Sequence, residues 1–320
     1  MNQVNRLDNV DPEASTVLIG FNPKAGSSGS EQTISRLQAA LTGHGLIVQR
    51  ETDVQRLATE SRRLHAAGAL RAVVSAGGDG TAALLANSLF PEVPLAIFPL
   101  GTENLLAKHL GHTADPAAMA NKIASGRAVR LDAGLANGRV FLVLASCGFD
   151  ADVVHHLHGQ RTGNINRLSY TWPILASIRR YRYPELRLRL EDGFECRARW
   201  AFVFNVPQYA LQMPIVHDAS GLDGQLDLCA FRRGSLWNGL VYALGIALRI
   251  HRRWRDTTVR RFTRLWIDSD EPVPYQLDGD PGGFLPLEIS VASCRLRVVV
   301  DDKWLQSREA EWRYSSPAFA

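Results

Sequence analysis

Val73-Val74-Ser75-Ala76-Gly77-Gly78-Asp79-Gly80-Thr81 carries the most information of any stretch in the chain. An apolar, β-branched run stops at three glycines and one carboxylate, and a helix-compatible segment resumes at Thr81. That is strand, turn, helix. Working outward, Thr16-Phe21, Leu46-Arg50 and Leu95-Pro99 are further apolar runs of strand length, and Arg71-Ser75 is the one that feeds the glycines. Between and after them lie segments of helical length, Glu31-Thr42, Val54-Ala67, Thr81-Leu89 and Glu103-Leu110. Continuous apolar strands alternating with helices predict helices packed on a parallel sheet. Ligands bind such sheets at the carboxyl ends of the strands.

The second half is patterned differently. Arg139-Ala145, Pro184-Leu190, Cys196-Val206, Gln225-Phe231, Thr257-Ile267, Val273-Leu277, Leu287-Ala292 and Leu296-Val300 are short strand candidates, several of them alternating. Turn pairs such as Asp192-Gly193, Asp223-Gly224 and Asp278-Gly279 punctuate them. An antiparallel sandwich or barrel-like domain is expected, interrupted by helices near Asn164-Arg180 and Ser235-His251. The boundary falls near Leu131-Ala136, giving domains of residues 15–133 and 134–310.

Composition sets outer limits. The 320 residues are 46% hydrophobic and 21% charged, with a formal charge of +4, which fits a globular protein with a sizeable core. Cys147, Cys196, Cys229 and Cys294 are scattered without a CxxC pair, so neither a disulfide framework nor a zinc site is expected. Residues 1–15 show no secretory h-region, and the longest apolar run, Leu236-Ile250, is short for a bilayer span. A reducing cytoplasm is the expected location.

Taken alone, the Gly77-Thr81 turn has two readings: a tight βα connection with a helix cap, or a cradle whose backbone amides and helix N-terminus hold a phosphate. Asp79 would repel phosphate unless a divalent cation stood between them, which suggests Mg²⁺. Two more turns tip the balance. Asn22-Pro23-Lys24-Ala25-Gly26-Ser27-Ser28-Gly29 follows the first strand, and Pro99-Leu100-Gly101-Thr102-Glu103-Asn104 follows the fourth. All three leave one parallel sheet at the same edge, so they should converge into a nucleotide-phosphate site. Gly78-Asp79-Gly80-Thr81-Ala82-Ala83 also fits G-x-G-x-x-A, but a dinucleotide fingerprint belongs in the first βα turn, and this one follows the third strand. No Walker A motif occurs.

The ordered set Asn-Pro-Lys-Ala-Gly (22–26), Gly-Gly-Asp-Gly-Thr (77–81) and Gly-Thr-Glu-Asn (101–104) resembles the diacylglycerol kinase catalytic-domain family. This superfamily includes sphingosine and ceramide kinases and, more remotely, NAD kinases and phosphofructokinases. The likeness continues through Gly148-Phe149-Asp150-Ala151, residues 221–227 and Tyr275-Gln276-Leu277-Asp278-Gly279-Asp280, and favours the bacterial lipid-kinase branch. The resemblance implies an α/β nucleotide-binding domain, a following β-sandwich for the lipid, and an active-site cleft between them. It implies ATP contacts from Asn22, Pro23, Lys24, Ala25, Gly26, Thr52, Gly77, Gly78, Asp79, Gly80, Thr81, Ala82, Thr102 and Asn104. Asp79, with Asp132 nearby, would serve a catalytic metal-water network. The Asp223 carboxylate with the Ser220 and Gln225 carbonyls would hold a structural Mg²⁺, and Asp280 would accept the proton. Two positions depart from the family pattern. Asp280 stands where the family has glutamate, so either the site closes further or Asp278 shares the role. Leu105 stands where an aspartate is common, and Glu103 is the acid placed to compensate.

Independently of the family, phosphoryl transfer to an alcohol needs charge neutralisation and a proton acceptor. The glycine turns supply the first. Asp278-Gly279-Asp280 offers paired acids for the second, or is simply a solvated hairpin turn. An apolar stretch from Leu236 to Leu248 leads into Arg249, Arg252, Arg253, Arg255, Arg260, Arg261 and Arg264, opposed only by Asp256, and Arg179-Arg189 is again basic and aromatic. These read either as a bilayer-facing patch for a membrane lipid substrate or as a buried helix beside a solvated basic face. No RNA- or DNA-stacking signature accompanies them, so nucleic acid is not an expected partner. His155-His156-Leu157-His158 has no metal-site spacing, and Trp172-Pro173 and Trp254 read as packing or interfacial aromatics. A homodimer is one arrangement the sequence allows. The functional expectation is an ATP- and Mg²⁺-dependent lipid kinase. Its rivals are a kinase for a soluble alcohol and a weakly active nucleotide- and lipid-binding sensor.

Overall fold

A computed structural model of the chain describes residues 6–21, 29–159, 181–209, 213 and 215–309. It divides into two units, the first drawn from the described parts of Met1–Ala133, Leu222–Gly224 and Ser293–Ala320, the second from Gly134–Gly221 and Gln225–Ala292.

The first unit runs β1 (Leu7–Asn9), β2 (Thr16–Phe21), α1 (Ser30–Gly43), β3 (Ile47–Glu51), α2 (Val54–Ala66), β4 (Leu70–Gly77), α3 (Asp79–Ser88), β5 (Pro94–Pro99), α4 (Leu105–His109), α5 (Pro116–Ser125) and the first part of β6 (Arg127–Ala136). Strands β3, β2, β4 and β5 pair in that order, all parallel. Val17, Leu18 and Ile19 are all buried, as are Ala72, Val73 and Val74. A sheet covered on both faces demands apolar residues at every position, which is why these strands read as unbroken runs. The chain leaves β2 toward β3 and β4 toward β5, so the winding reverses between β2 and β4. A crevice opens at the carboxyl ends of strands where winding reverses.

Helix ends follow local chemistry. The Asp53 carboxylate accepts the amides of Gln55 and Arg56 and starts α2. The α5 helix, absent from the sequence expectation, begins with an Asp115 cap and Pro116 and ends at Gly126, whose φ of 68° suits a residue without Cβ. Its Met119, Ala120 and Ile123 pack with Ile19, Leu37 and Phe98 in the core.

The second unit contains the end of β6, β7 (Arg139–Phe141), β8 (Leu144–Cys147), α6 (Phe149–Gly159), β9 (Leu186–Leu190), β10 (Glu195–Ala198), β11 (Trp200–Phe204), β12 (Leu226–Phe231), α7 (Leu236–Ala247), a 3-10 turn (His251–Arg253), β13 (Thr257–Phe262), β14 (Arg264–Asp268), β15 (Pro274–Leu277), β16 (Asp280–Phe284) and the first part of β17 (Leu287–Val299). One antiparallel sheet has the order β13-β12-β11-β8-β15-β16. A second antiparallel set joins β10, β9, β14 and the amino-terminal half of β17. Along β9, Leu186, Leu188 and Leu190 point inward while Arg187 and Arg189 point outward. This alternation marks a sheet with one wet face. The leucines pack with Phe141, Leu228 and Ile267. The expected Asn164-Arg180 helix and Trp172-Pro173 lie outside the described residues.

The end of the chain differs from expectation. Leu287-Ala292 and Leu296-Val300 read as two strands because polar Ser293 and Arg295 interrupt the apolar pattern, yet they form the single β17. Its carboxyl-terminal half leaves the antiparallel set and belongs to the first unit, where Arg297 and Val298 pair parallel with Pro94 and Leu95 of β5. A last helix, α8 (Asp302–Ser307), follows, with Trp304 buried and its indole N–H donating to the His109 carbonyl at 2.8 Å.

Candidate active site

Two of the three glycine turns of the first unit, those after β4 and β5, converge as expected. Gly78 and Gly101, 23 residues apart in the sequence, press backbone to backbone. A Cβ on Gly101 would come within 2.5 Å of the Gly78 Cα, and one on Gly78 within 3.2 Å of the Gly101 Cα. Neither neighbour is a side chain that could swing away, so Gly101 requires glycine and a Cβ at Gly78 would need the Gly101 backbone to shift by a few tenths of an ångström. Gly77 meets the same limit from Thr81, whose Oγ1 sits 2.3 Å from where a Cβ would be. Asn104 locks the second turn: its Oδ1 accepts the Gly101 N–H at 3.0 Å and its Nδ2 donates to the Gly101 carbonyl at 2.7 Å. It does so from a left-handed backbone, φ 51°, which asparagine tolerates better than most residues. The Leu100 N–H donates to the Gly77 carbonyl at 2.9 Å, closing the pair of turns.

Gly78 caps α3 without a side chain, and its carbonyl accepts from the amides of Thr81 and Ala82. The helix N-terminus therefore presents its first amides at the carboxyl edge of the sheet, beside a turn too tight for any Cβ. This geometry fits a phosphate group. Gly80 and Thr102 are exposed there and Ala82 is buried beneath. Thr52 is exposed after β3, its N–H bonded to Glu51. Asn22, Pro23, Lys24, Ala25 and Gly26 lie outside the described residues.

Asp79 is the first residue of α3, and its Oδ1 accepts the Leu106 N–H at 3.2 Å. Burial pushes its carboxyl above the ordinary carboxylate range, opposed by the backbone amides of Leu105 and Leu106. A largely desolvated carboxylate at a phosphate cradle suits a cation. Among the described residues no group of three or more His, Cys, Asp or Glu side chains is placed to hold a metal ion. Asp79 would be the one carboxylate offered here to Mg²⁺, an ion that usually takes one or two carboxylates together with substrate phosphates and waters. Glu103, the acid placed to compensate for Leu105, instead pairs with Lys108 at 3.6 Å.

Asp132 has a structural occupation. It is fully buried, Oδ1 accepting from Arg6 Nη1 at 2.9 Å and the Cys294 N–H at 2.8 Å, and Oδ2 from the Gly224 N–H at 2.8 Å. It thereby fixes the turn that carries Asp223 and the strand that closes the first unit's sheet. Asp223 and Gln225 are half-buried and Ser220 is buried, all within the turn that precedes β12.

In the second unit, Asp278-Gly279-Asp280 forms the β15–β16 turn. Asp278, at φ 52°, gathers three amides: Leu142 N–H on Oδ2 at 2.7 Å, and Val143 and Leu144 on Oδ1 at 2.8 and 3.0 Å. Gly279 takes φ 87° and donates its N–H to the Gln276 Oε1 at 2.7 Å. Asp280 follows at the start of β16, half-buried.

Behind this turn stands a network that the sequence reading did not assign. Buried Gln276 donates through Nε2 to Ser146 Oγ at 2.8 Å and to Asp150 Oδ2 at 3.2 Å. Ser146 donates to the same Asp150 oxygen at 2.5 Å, and the Tyr209 hydroxyl donates to Asp150 Oδ1 at 2.8 Å. Burial raises the Tyr209 hydroxyl well above its usual range, so it stays a donor. Both Asp150 and Gln276 sit in motifs that carried the family resemblance, which was the available signal. His155 and His156 donate to the carbonyls of Tyr275 and Asp152, as ordinary helix-face histidines do.

A family model described as the diacylglycerol kinase catalytic domain matches residues 16–136, and the YegS C-terminal NAD kinase beta sandwich-like domain matches residues 143–300. Residues 16–136 thus carry a diacylglycerol kinase catalytic domain, and the two matches together span most of the chain. Relatives of this family include a Bacillus subtilis (strain 168) protein named diacylglycerol kinase, 24% identical over 221 residues, covering 68% of this chain and 73% of the relative. A Pseudomonas aeruginosa (strain UCBPP-PA14) protein named "Probable lipid kinase YegS-like" is 40% identical over 84 residues, 25% of this chain and 28% of the relative. The fold is shared with a solved structure titled as a diacylglycerol kinase from Bacillus anthracis str. Sterne, with a TM-score of 0.69, 21% identity, and coverage of 90% of this chain and 98% of that one. The chain thus carries a kinase catalytic domain of the lipid-kinase family.

Proposed function

We propose that this chain is an ATP- and Mg²⁺-dependent lipid kinase, transferring the γ-phosphate to the hydroxyl of diacylglycerol or a related membrane lipid. The observation that carries the reading is the packing of Gly78 against Gly101 at the start of α3, where no side chain caps the helix at the carboxyl edge of the sheet. On this reading Asn22–Gly26, Gly77–Ala82, Thr102 and Asn104 surround the phosphates and Thr52 the rest of the nucleotide. Asp79 holds the catalytic Mg²⁺, which when bound neutralises charge on the transferring group. Asp223 holds a structural Mg²⁺ with the Ser220 and Gln225 carbonyls.

Asp280 accepts the proton of the lipid hydroxyl. Asp278 is better suited to shape the turn than to share that role, because both its oxygens already accept amides. The Gln276–Ser146–Asp150 network fixes the turn from behind, and a general base gains from a position held to within a fraction of an ångström. On the same reading the enzyme meets its acceptor at the inner bilayer surface from the cytoplasm; no helix among the described residues is long and apolar enough to cross a membrane.

The test is transfer of labelled γ-phosphate from Mg·ATP to vesicle-borne diacylglycerol, monoacylglycerol, ceramide, sphingosine and phosphatidylglycerol, with NAD as soluble acceptor and Asp79→Ala as control enzyme. A labelled lipid absent with Asp79→Ala supports the reading and names the acceptor. Label on NAD alone replaces it with a soluble-alcohol kinase, and ATP binding with no transfer replaces it with a sensor.

A further inference from the structure

Helix α7 is apolar on both sides. Its inner side is seated: Tyr242 stacks on Phe231 at 4.3 Å, and Gly245 admits the Trp254 ring, which a Cβ would meet at 2.3 Å. Its outer side ought then to be polar, as in a helix that faces water. It is not. Leu236, Trp237, Leu240, Val241, Leu244 and Leu248 recur at helical spacing and are 42%, 77%, 54%, 51%, 61% and 59% exposed. The twelve residues of α7 contain no charge.

Charge is gathered instead around the helix. Arg232, Arg233, Arg253 and Arg255 line a pocket of about 820 Å³ beside α7, and Val241 of the apolar stripe lines it too. The pocket's one carboxylate, Asp256, is occupied by Arg233 at 3.1 Å and by the Tyr242 hydroxyl at 3.0 Å. Arg232, Arg253 and Arg255, with exposed Arg249 just beyond the helix, make no ion pair among the described residues. An exposed apolar stripe bordered by unneutralised guanidinium groups matches an interface with acyl chains on one side and phosphates on the other. A second copy of this chain would bring the same arginines against these and repel them.

We propose that α7 and its arginine pocket form the surface by which this chain docks on an anionic phospholipid bilayer. The stripe lies in the headgroup–acyl boundary with Trp237 at the interface, and lipid phosphates enter the pocket. The inference deepens the lipid-kinase reading by naming the partner surface, but it stands on the second unit alone and is read without turnover.

The experiment is sedimentation of the full chain with vesicles of phosphatidylcholine alone and of phosphatidylcholine with phosphatidylglycerol, at low and high salt. Binding is expected only with phosphatidylglycerol, and it should weaken as salt rises. It should be lost in the double variant Leu240→Glu/Leu244→Glu and weakened roughly fivefold for each of Arg253→Gln and Arg255→Gln. Lipids brominated in the acyl chain should quench the wild-type fluorescence, and Trp237→Phe should remove that quenching. This readout holds even if the double variant fails to fold. Equal binding to phosphatidylcholine alone, quenching that survives Trp237→Phe, or vesicle binding that survives the folded double variant would each overturn the proposal. So would a wild-type dimer that the double variant dissociates while vesicles capture neither form. Vesicle binding without phosphoryl transfer leaves the docking surface standing and removes the kinase reading; transfer without vesicle binding does the reverse.

Discussion

Asp278 collects three backbone amides on one carboxylate, while Asp280, two residues on, opens β16 half-buried. The two acids should therefore separate under mutation. Asp278→Asn replaces a charged acceptor with a neutral one that also presents an N–H to an amide, and should cost about 2–3 kcal/mol of stability. Asp280→Asn should lower kcat on the lipid acceptor by roughly 10²–10⁴ with ATP affinity unchanged. Thermal melts and steady-state kinetics of both variants check this, and the reverse pattern would exchange their roles. At the residue scale there is also a pH signature. His112 is buried beside Lys122, its Nδ1–H donating to the Ile97 carbonyl at 2.9 Å, and burial lowers its pKa from 6.5 to about 4. Between those values the unfolded chain binds a proton that the folded chain refuses, so stability rises with pH across that window and falls as acid is added. The loss between pH 6.5 and 4 is on the order of 3 kcal/mol. Urea titrations at several pH values should show it, and His112→Asn, which retains a donor, should flatten the profile.

At the scale of elements, the convergence of the two described glycine turns was legible because each follows a strand of one parallel sheet, and parallel strands deliver their carboxyl ends to one edge. How tightly they converge was not. The contact of Gly78 with Gly101 and the clamp of Asn104 on Gly101 depend on backbone angles that composition does not reveal. Asn104→Gly keeps the left-handed conformation and removes both clamp bonds, whereas Asn104→Ala removes the bonds and strains the backbone as well. The glycine variant should lose about 1–2 kcal/mol and the alanine variant roughly 1 kcal/mol more, both with a raised KM for ATP. Denaturant curves and ATP titrations check this. The α5 helix was overlooked because its alanine-rich Pro116–Ser125 span lacks a strong apolar period, although Asp115, Pro116 and Gly126 mark its ends. The Gln276–Ser146–Asp150–Tyr209 network was overlooked for another reason. Gln276 reaches partners 130 and 126 residues away, a distance that motif spacing does not span.

For the whole molecule, the decisive fact is that the first unit is not continuous in sequence. Its parallel sheet takes a strand from the carboxyl-terminal half of β17, its buried Asp132 bonds the Cys294 N–H and the Gly224 N–H, and Trp304 closes on His109. A fragment ending at residue 133 lacks all three and should fail to fold. Trp304→Ala in the full chain should cost about 3–5 kcal/mol. Circular dichroism of the fragment and unfolding of the variant test this, and a cooperatively folded fragment would refute it. The strand pattern did not announce such an arrangement, because a break at Ser293-Cys294-Arg295 looks the same whether the chain turns or runs on through Cys294 at φ 53°.

That discontinuity also sets an order of events during synthesis. The ribosome releases β2 to β5 early, but β17 emerges only after the entire second unit has been made. At about 5–20 residues per second the nascent glycine turns wait roughly ten to forty seconds with the edge of β5 unpaired. A messenger cut short between residues 105 and 293 yields a polypeptide that carries all three glycine turns and no completed sheet to hold them. Translation to the end is thus a condition of having the site at all.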